Sequence, residues 1–173
     1  MARYKGRATR LSEAMSAINL APLEDAIEAV ETYVAFLDVR ADAIEDAKLA
    51  PIGETETPPE ATPPTYDPQD AVTDANCAAE SVGELYDEID NWKSNMEGTN
   101  LENTQKYNDL DECASALETI KDALEAVSAP TKPTDPLDRD AWSAYHDELE
   151  ELRDGIQEGL DGESDVMFPG LYG

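Results

Sequence analysis

Residues 96–102 read Met96-Glu97-Gly98-Thr99-Asn100-Leu101-Glu102, and this short stretch decides how the chain folds. Gly98 stands where a helix stops, since glycine enters the left-handed backbone region without a Cβ clash. Thr99 and Glu102 have the spacing of a capping box, in which a hydroxyl and a carboxylate each accept an unpaired N–H of a new helix. A stop followed at once by a start predicts a helical hairpin. The flanks agree. From Asp70 to Glu97, the apolar positions Val72, Ala75, Ala79, Val82, Leu85 or Tyr86, Ile89, Trp92 and Met96 recur every three or four residues, the period of a helix with one buried face. After the turn, Leu110, Cys113, Leu117, Ile120, Leu124 and Val127 form the cleanest such seam, which ends before Pro130.

Further out, Leu11, Met15 and Ile18 suggest a short leading helix, broken at Asn19–Pro22. Pro22 suits the first turn of a longer helix, where its missing N–H would be unpaired anyway. That helix carries Leu23, Ile27, Val30, Val34, Leu37, Ala41 and Ile44. Asp138 can cap a last helix with Trp142, Tyr145, Leu149, Leu152, Ile156 and Leu160 on one side, and Gly155 and Gly159 should fray its end. Prolines break the pattern twice, at 50–68 and 129–137. The expected architecture is all-α: an antiparallel helical hairpin plus two further long helices, bundle or coiled-coil-like, with mobile Pro-rich linkers. Its segments are a basic arm (1–12), an N-terminal helical segment (13–49), a linker (50–68), the hairpin (69–128), a linker (129–137), a C-terminal helix (138–161) and an apolar tail (162–173).

The composition argues against an ordinary globule. Of 173 residues, 40 are acidic and 12 basic, a net charge of −28. Leu, Ile, Val and Phe are scarce, and that scarcity with such a charge is typical of disorder. The apolar residues nevertheless fall almost wholly on four seams, which together amount to a small bundle core if they face one another. Arg3, Lys5, Arg7 and Arg10 sit in an acid-free start, so the rest of the chain carries eight basic residues against all 40 acids. Such a body repels phosphate, which argues against direct nucleic-acid binding. The charge fits a solvated helical surface, adaptation to a saline host, or mimicry of a nucleic-acid backbone. There is no run of about 18 apolar residues to cross a membrane, and no apolar stretch near the start to suggest a secretory signal. The expected location is a virion or the host cytoplasm.

No catalytic constellation emerges, and the expectation is a non-enzyme without cofactor or metal. Di-iron bundles need Glu-x-x-His on two helices; His146 is the one histidine, and Ser143 occupies the position three before it. Asp161-Gly162-Glu163-Ser164-Asp165 offers oxygens, but its glycine is misplaced for a calcium loop. Cys77 and Cys113 have no metal-like spacing and read as free, buried hydrophobes. Folding the hairpin about Gly98–Thr99 would set Cys77 level with residue ~120, leaving the sulfurs ~10 Å apart along the axis, too far for a disulfide.

The termini carry more signal. Arg3, Lys5, Arg7 and Arg10 form a basic arm on an acidic body, and Met167, Phe168, Leu171 and Tyr172 form an apolar end of the kind that docks on partners. The stretch Glu84–Cys113, together with Arg10-Leu11-Ser12-Glu13-Ala14 behind a basic start, resembles small acidic helical proteins of tailed bacteriophages. The Pro-rich insert at 50–68 departs from that pattern. The resemblance implies a phage or phage-like origin and a helical hairpin, and brings no catalytic residues with it.

The expected role is a non-enzymatic viral structural or accessory protein that binds other virion or phage proteins, or a second copy of itself, through helical seams and termini. The alternatives are an acidic DNA mimic that inhibits a host nucleic-acid-binding protein, and a halophilic scaffold. One-signed charge opposes compaction, so screening must help. Thermal melts followed by circular dichroism should show a higher midpoint at ~1 M salt, where the screening length is ~3 Å, than at ~0.01 M, where it is ~30 Å. An unchanged midpoint would remove self-repulsion as a factor.

Overall fold

The computed structural model describes residues 6–49 and 62–169, and within these the chain is all-helical. Five α-helices occur in chain order: α1 (Arg7–Ser16), α2 (Ala21–Leu49), α3 (Gln69–Met96), α4 (Gln105–Glu125) and α5 (Arg139–Asp161), followed by a 3-10 turn at Gly162–Asp165. None of these helices is long and apolar enough to cross a membrane. The chain divides into two compact units. Among the described residues, one holds 6–19, 69–128 and 154–169; the other holds 20–49, 62–68 and 129–153.

The first unit is built on the α3–α4 hairpin, with α1 packed on α3 and the 3-10 turn on α4. Lys93 reaches Asp111, and the Cβ position of Gly83 faces the Lys121 side chain. Both pairs centre on residue 102, three to four residues later than a fold about Gly98–Thr99 would place the turn. The reason lies in the loop. Gly98 adopts φ +73° and ends α3 as expected, but Thr99 does not cap α4. Its hydroxyl donates to the Met96 carbonyl and accepts from Leu101 N–H, while Glu102 Oε2 accepts from Gly98 N–H at 3.0 Å. The residues of the supposed capping box therefore build the turn itself. α4 starts six residues later, where Thr104 accepts from Tyr107 N–H. Two packed helices stand about 8–10 Å apart, and the residues from 97 to 104 span that gap.

This register moves the cysteines further apart, with Cys77 level with about residue 127 and ~21 Å from Cys113 along the axis. Both are free. Cys113 is buried as expected, but Cys77 is exposed, because Ala75, Ala78 and Ala79 take the inward positions around it.

Most seam residues are buried in the chain's own core, including Leu11, Met15 and Ile18 of the leading segment, and no polar or charged residue is buried among those described. On α3 the seam runs through Leu85 and not Tyr86, and Trp92 is only half-buried. Leu110, Leu117, Ile120 and Leu124 line the inner face of α4, and Val127, beyond its end, is half-buried. The glycines of α5 do not fray it. A Cβ at Gly159 would lie 2.6 Å from Leu124 Cδ2 and 2.8 Å from its Cγ, and one at Gly162 would lie 2.7 Å from Ile120 Cγ1. The missing side chains let the end of α5 and the 3-10 turn settle directly on α4.

In the second unit the α2 seam departs from its expected line. Leu23, Ala26, Ile27, Val30, Tyr33 and Leu37 are buried, whereas Val34 and Ile44 are half-buried and Ala41 is exposed. Tyr33 takes the place of Val34 because it has partners. Its ring meets Trp142 edge-on at 5.0 Å, and its hydroxyl donates to the Pro136 carbonyl. Trp142 in turn stacks edge-on against Tyr145 at 5.7 Å and donates its indole N–H to the Asp135 carbonyl at 3.0 Å. Asp135 and Pro136 of the 129–137 linker thus accept hydrogen bonds from Trp142 of α5 and Tyr33 of α2. Asp138 caps α5 by accepting from Ala141 N–H at 3.1 Å, as its sequence position suggests.

Gly159→Ala tests the close approach of α5 to α4. Alanine gains up to about 1 kcal/mol of helix propensity, but overpacking against wholly buried Leu124 costs about 1–3 kcal/mol. Urea melts should show a net loss for Gly159→Ala. A gain equal to the propensity difference would mean that the contact is loose.

Candidate functional site

Three places in the structure bring chemically distinctive side chains together. The first lies on α1 and α3. Arg7 Nε and Arg10 Nη1 donate to the two carboxylate oxygens of Glu88, at 3.0 and 2.6 Å. Positions 7 and 10 lie on one face of a helix, which aims both guanidinium groups at the same carboxylate. Burial alone would raise the Glu88 carboxyl pKa, but the hydrogen bonds from Arg10 and Arg7 outweigh it and hold the group below its ordinary value. Arg7 also lies 5.4 Å from the Trp92 ring centre, and Lys106 lies 4.9 Å from it. The half-buried indole is therefore covered by cations from α1 and α4. Two residues of the basic arm, Arg7 and Arg10, are thus engaged within the chain, on a helix that begins at Arg7. Arg3 and Lys5 lie outside the described residues.

The second place is the tail. After the 3-10 turn the chain leaves helical structure, with Val166 extended. Met167 is 81% exposed and Phe168 is half-buried; Leu171 and Tyr172 lie outside the described residues. Met167, Phe168 and Pro169 join Asp109, Glu112 and Cys113 of α4, and Asp165, around a cleft of about 210 Å³. This is smaller than the ~300–1,000 Å³ of a small-molecule site. Burial pushes the Cys113 thiol up to about 11, with Arg7 pulling it slightly back. The sulfur stays protonated at neutral pH and is a poor nucleophile.

The third place is on α5 in the second unit. His146 Nδ1 stands 3.5 Å from Asp147 Oδ1, and its Nε2 stands 3.5 Å from Glu150 Oε1. The donor atoms of the three residues lie within 4.8 Å of one another. The sequence analysis did not single out Glu150 as a partner of His146. The signal that would have found it is the four-residue step, which places two side chains one above the other on a helix. One position before His146, Tyr145 is buried with no hydrogen-bond partner for its hydroxyl among the described residues. Burial first, and then Tyr66, Asp67 and Glu148, push that hydroxyl up to about 12. It remains a neutral phenol.

No protein-family model, curated protein or solved structure matches the chain.

The Glu88 pair makes a pH-dependent prediction. A carboxyl held below its ordinary value of 4.5 stabilises the fold above that value, and the contribution is lost as pH falls through the lowered one. Glu88→Gln should cost up to about 1 kcal/mol at neutral pH, the upper range for a partly exposed pair. The difference from wild type should close in acid. Urea melts across that range would check it, and a pH-independent difference would assign the loss to packing.

Proposed function

We propose that the chain is a non-enzymatic accessory or structural protein of a phage or phage-like particle, and that it works by binding a basic protein surface. What supports this reading is the disposition of charge. Arg7, Arg10, Lys93, Lys121 and Arg139 are each ion-paired to a carboxylate of the same chain. The surplus acids stand outward on helices. Glu148, Glu151 and Glu158 are exposed along α5, as are Glu112, Glu118 and Asp122 along α4. Carboxylates fixed on packed helices lose little freedom on binding and steer a basic partner from a distance.

The seams contribute less than the sequence suggested. Their residues are largely buried within the chain, so docking falls to the acidic outer faces and to the tail around Met167. The viral origin rests on the resemblance of residues 84–113 and 10–14 to acidic phage proteins. The same outward carboxylates favour one second reading, a DNA mimic that occupies a host nucleic-acid-binding protein.

Immobilised chain challenged with disrupted particles and with host lysate separates the two. A virion protein retained at low salt, released at ~1 M salt where screening falls to ~3 Å, and not displaced by duplex DNA is the expected result. A host DNA-binding protein displaced by duplex DNA would select the mimic. Retention of nothing at low salt would reject both.

A further inference from the structure

The chain has one histidine in 173 residues, and the α5 geometry gives that histidine a specific use. The His146 side chain is 18% exposed. Its Nε2 is wholly buried and has no hydrogen-bond partner among the described residues, even though Glu150 Oε1 is 3.5 Å away. A buried ring nitrogen without a partner costs about 1–3 kcal/mol. An ion held jointly by the nitrogen and the carboxylate would supply the missing partner.

We propose that His146 Nε2 and the Glu150 carboxylate chelate a zinc ion, with Asp147 orienting the imidazole. The separation is right for it. With metal–ligand bonds of ~2.0–2.1 Å, two donor atoms 3.5 Å apart subtend about 113–122° at the metal, a little wider than a tetrahedral angle. Asp147 Oδ1 lies 3.5 Å from the second ring nitrogen, Nδ1. There it accepts the Nδ1 proton and leaves Nε2 as the free lone pair, the arrangement by which a carboxylate sets the tautomer of a zinc-bound histidine. The Glu150 side chain is 43% exposed, so the ion enters from solvent and completes its shell with water.

The imidazole selects the metal. Carboxylates alone suit magnesium or calcium. A nitrogen ligand favours zinc and its first-row neighbours. The site differs in this from every other acidic group of the chain, none of which has a histidine to work with.

The lone imidazole also makes the test clean, because its ring C–H resonances are unique in a proton NMR spectrum. The full chain is titrated with zinc alone, in excess magnesium to occupy sites that offer only carboxylates. The expected result is a ring shift that saturates near one equivalent. Glu150→Gln should weaken it by about 10-fold or more, while Glu151→Gln, which removes the same charge from the next residue, should leave it unchanged. Ring resonances unmoved by zinc, or equal effects of Glu150→Gln and Glu151→Gln, would overturn the proposal.

Discussion

The hairpin unit rests on the burial of one helix face. Leu110, Leu117 and Leu124 of α4 are wholly buried and Ile120 nearly so, with α3 along one side and the glycines at the end of α5 and the 3-10 turn pressed against Leu124 and Ile120. Each fully buried side chain of this size contributes about 1.5–3 kcal/mol. Much of that is needed, because a chain with a net charge of −28 repels itself. The apolar face is what compaction has to set against the charge, and it is narrow. Small residues are therefore used where helices meet: Ala71, Ala75, Ala78 and Ala79 on α3 and Gly159 on α5. They let backbones approach closely, so that few large side chains suffice.

The scarce positive charges are placed where they hold elements together. Arg7 and Arg10 bind α1 to α3 through Glu88, Lys93 joins α3 to α4 through Asp111, and Arg139 joins α5 to α2 through Asp38. Each pair is partly exposed and worth little singly. Five of the twelve cations, Arg7, Arg10, Lys93, Lys121 and Arg139, are paired with carboxylates of the chain, and the surface charge is set by the acids that outnumber them. The aromatic chain Tyr33–Trp142–Tyr145 plays the matching part in the second unit, where it ties α2, the 129–137 linker and α5 together through rings and two hydrogen bonds to backbone carbonyls.

Where sequence reasoning went astray, a local rule met a tertiary requirement. The Thr99–Glu102 spacing satisfied the capping-box pattern, yet the chain needed those residues to cross from α3 to α4, and Thr104 capped the helix instead. Val34 fitted a strict four-three seam, but Tyr33 had a ring and a carbonyl to meet. Gly155 and Gly159 looked like weak points because propensity counts only the helix they sit in. Cys77 looked like a buried hydrophobe because residue type was the only guide. Of the candidate site residues, Arg7, Arg10, Met167 and Phe168 could be nominated from charge and apolarity, but their contacts could not. The Glu150 partner of His146 was legible in principle, as a four-residue step on a helix.

The amino-acid sequence determined by itself that this protein is helical, where α3 stops, which faces are apolar, and that its exterior is acidic. These are properties of residue order along a single helix, whose 3.6-residue period turns spacing into a face. The tertiary structure alone decided the register of α3 against α4, the replacement of Val34 by Tyr33, the fit of glycine on leucine, and the pairing of Arg7 and Arg10 with Glu88. Each of these depends on which atoms from distant parts of the chain come within a few ångströms of one another, and periodicity along one helix carries no information about its neighbour.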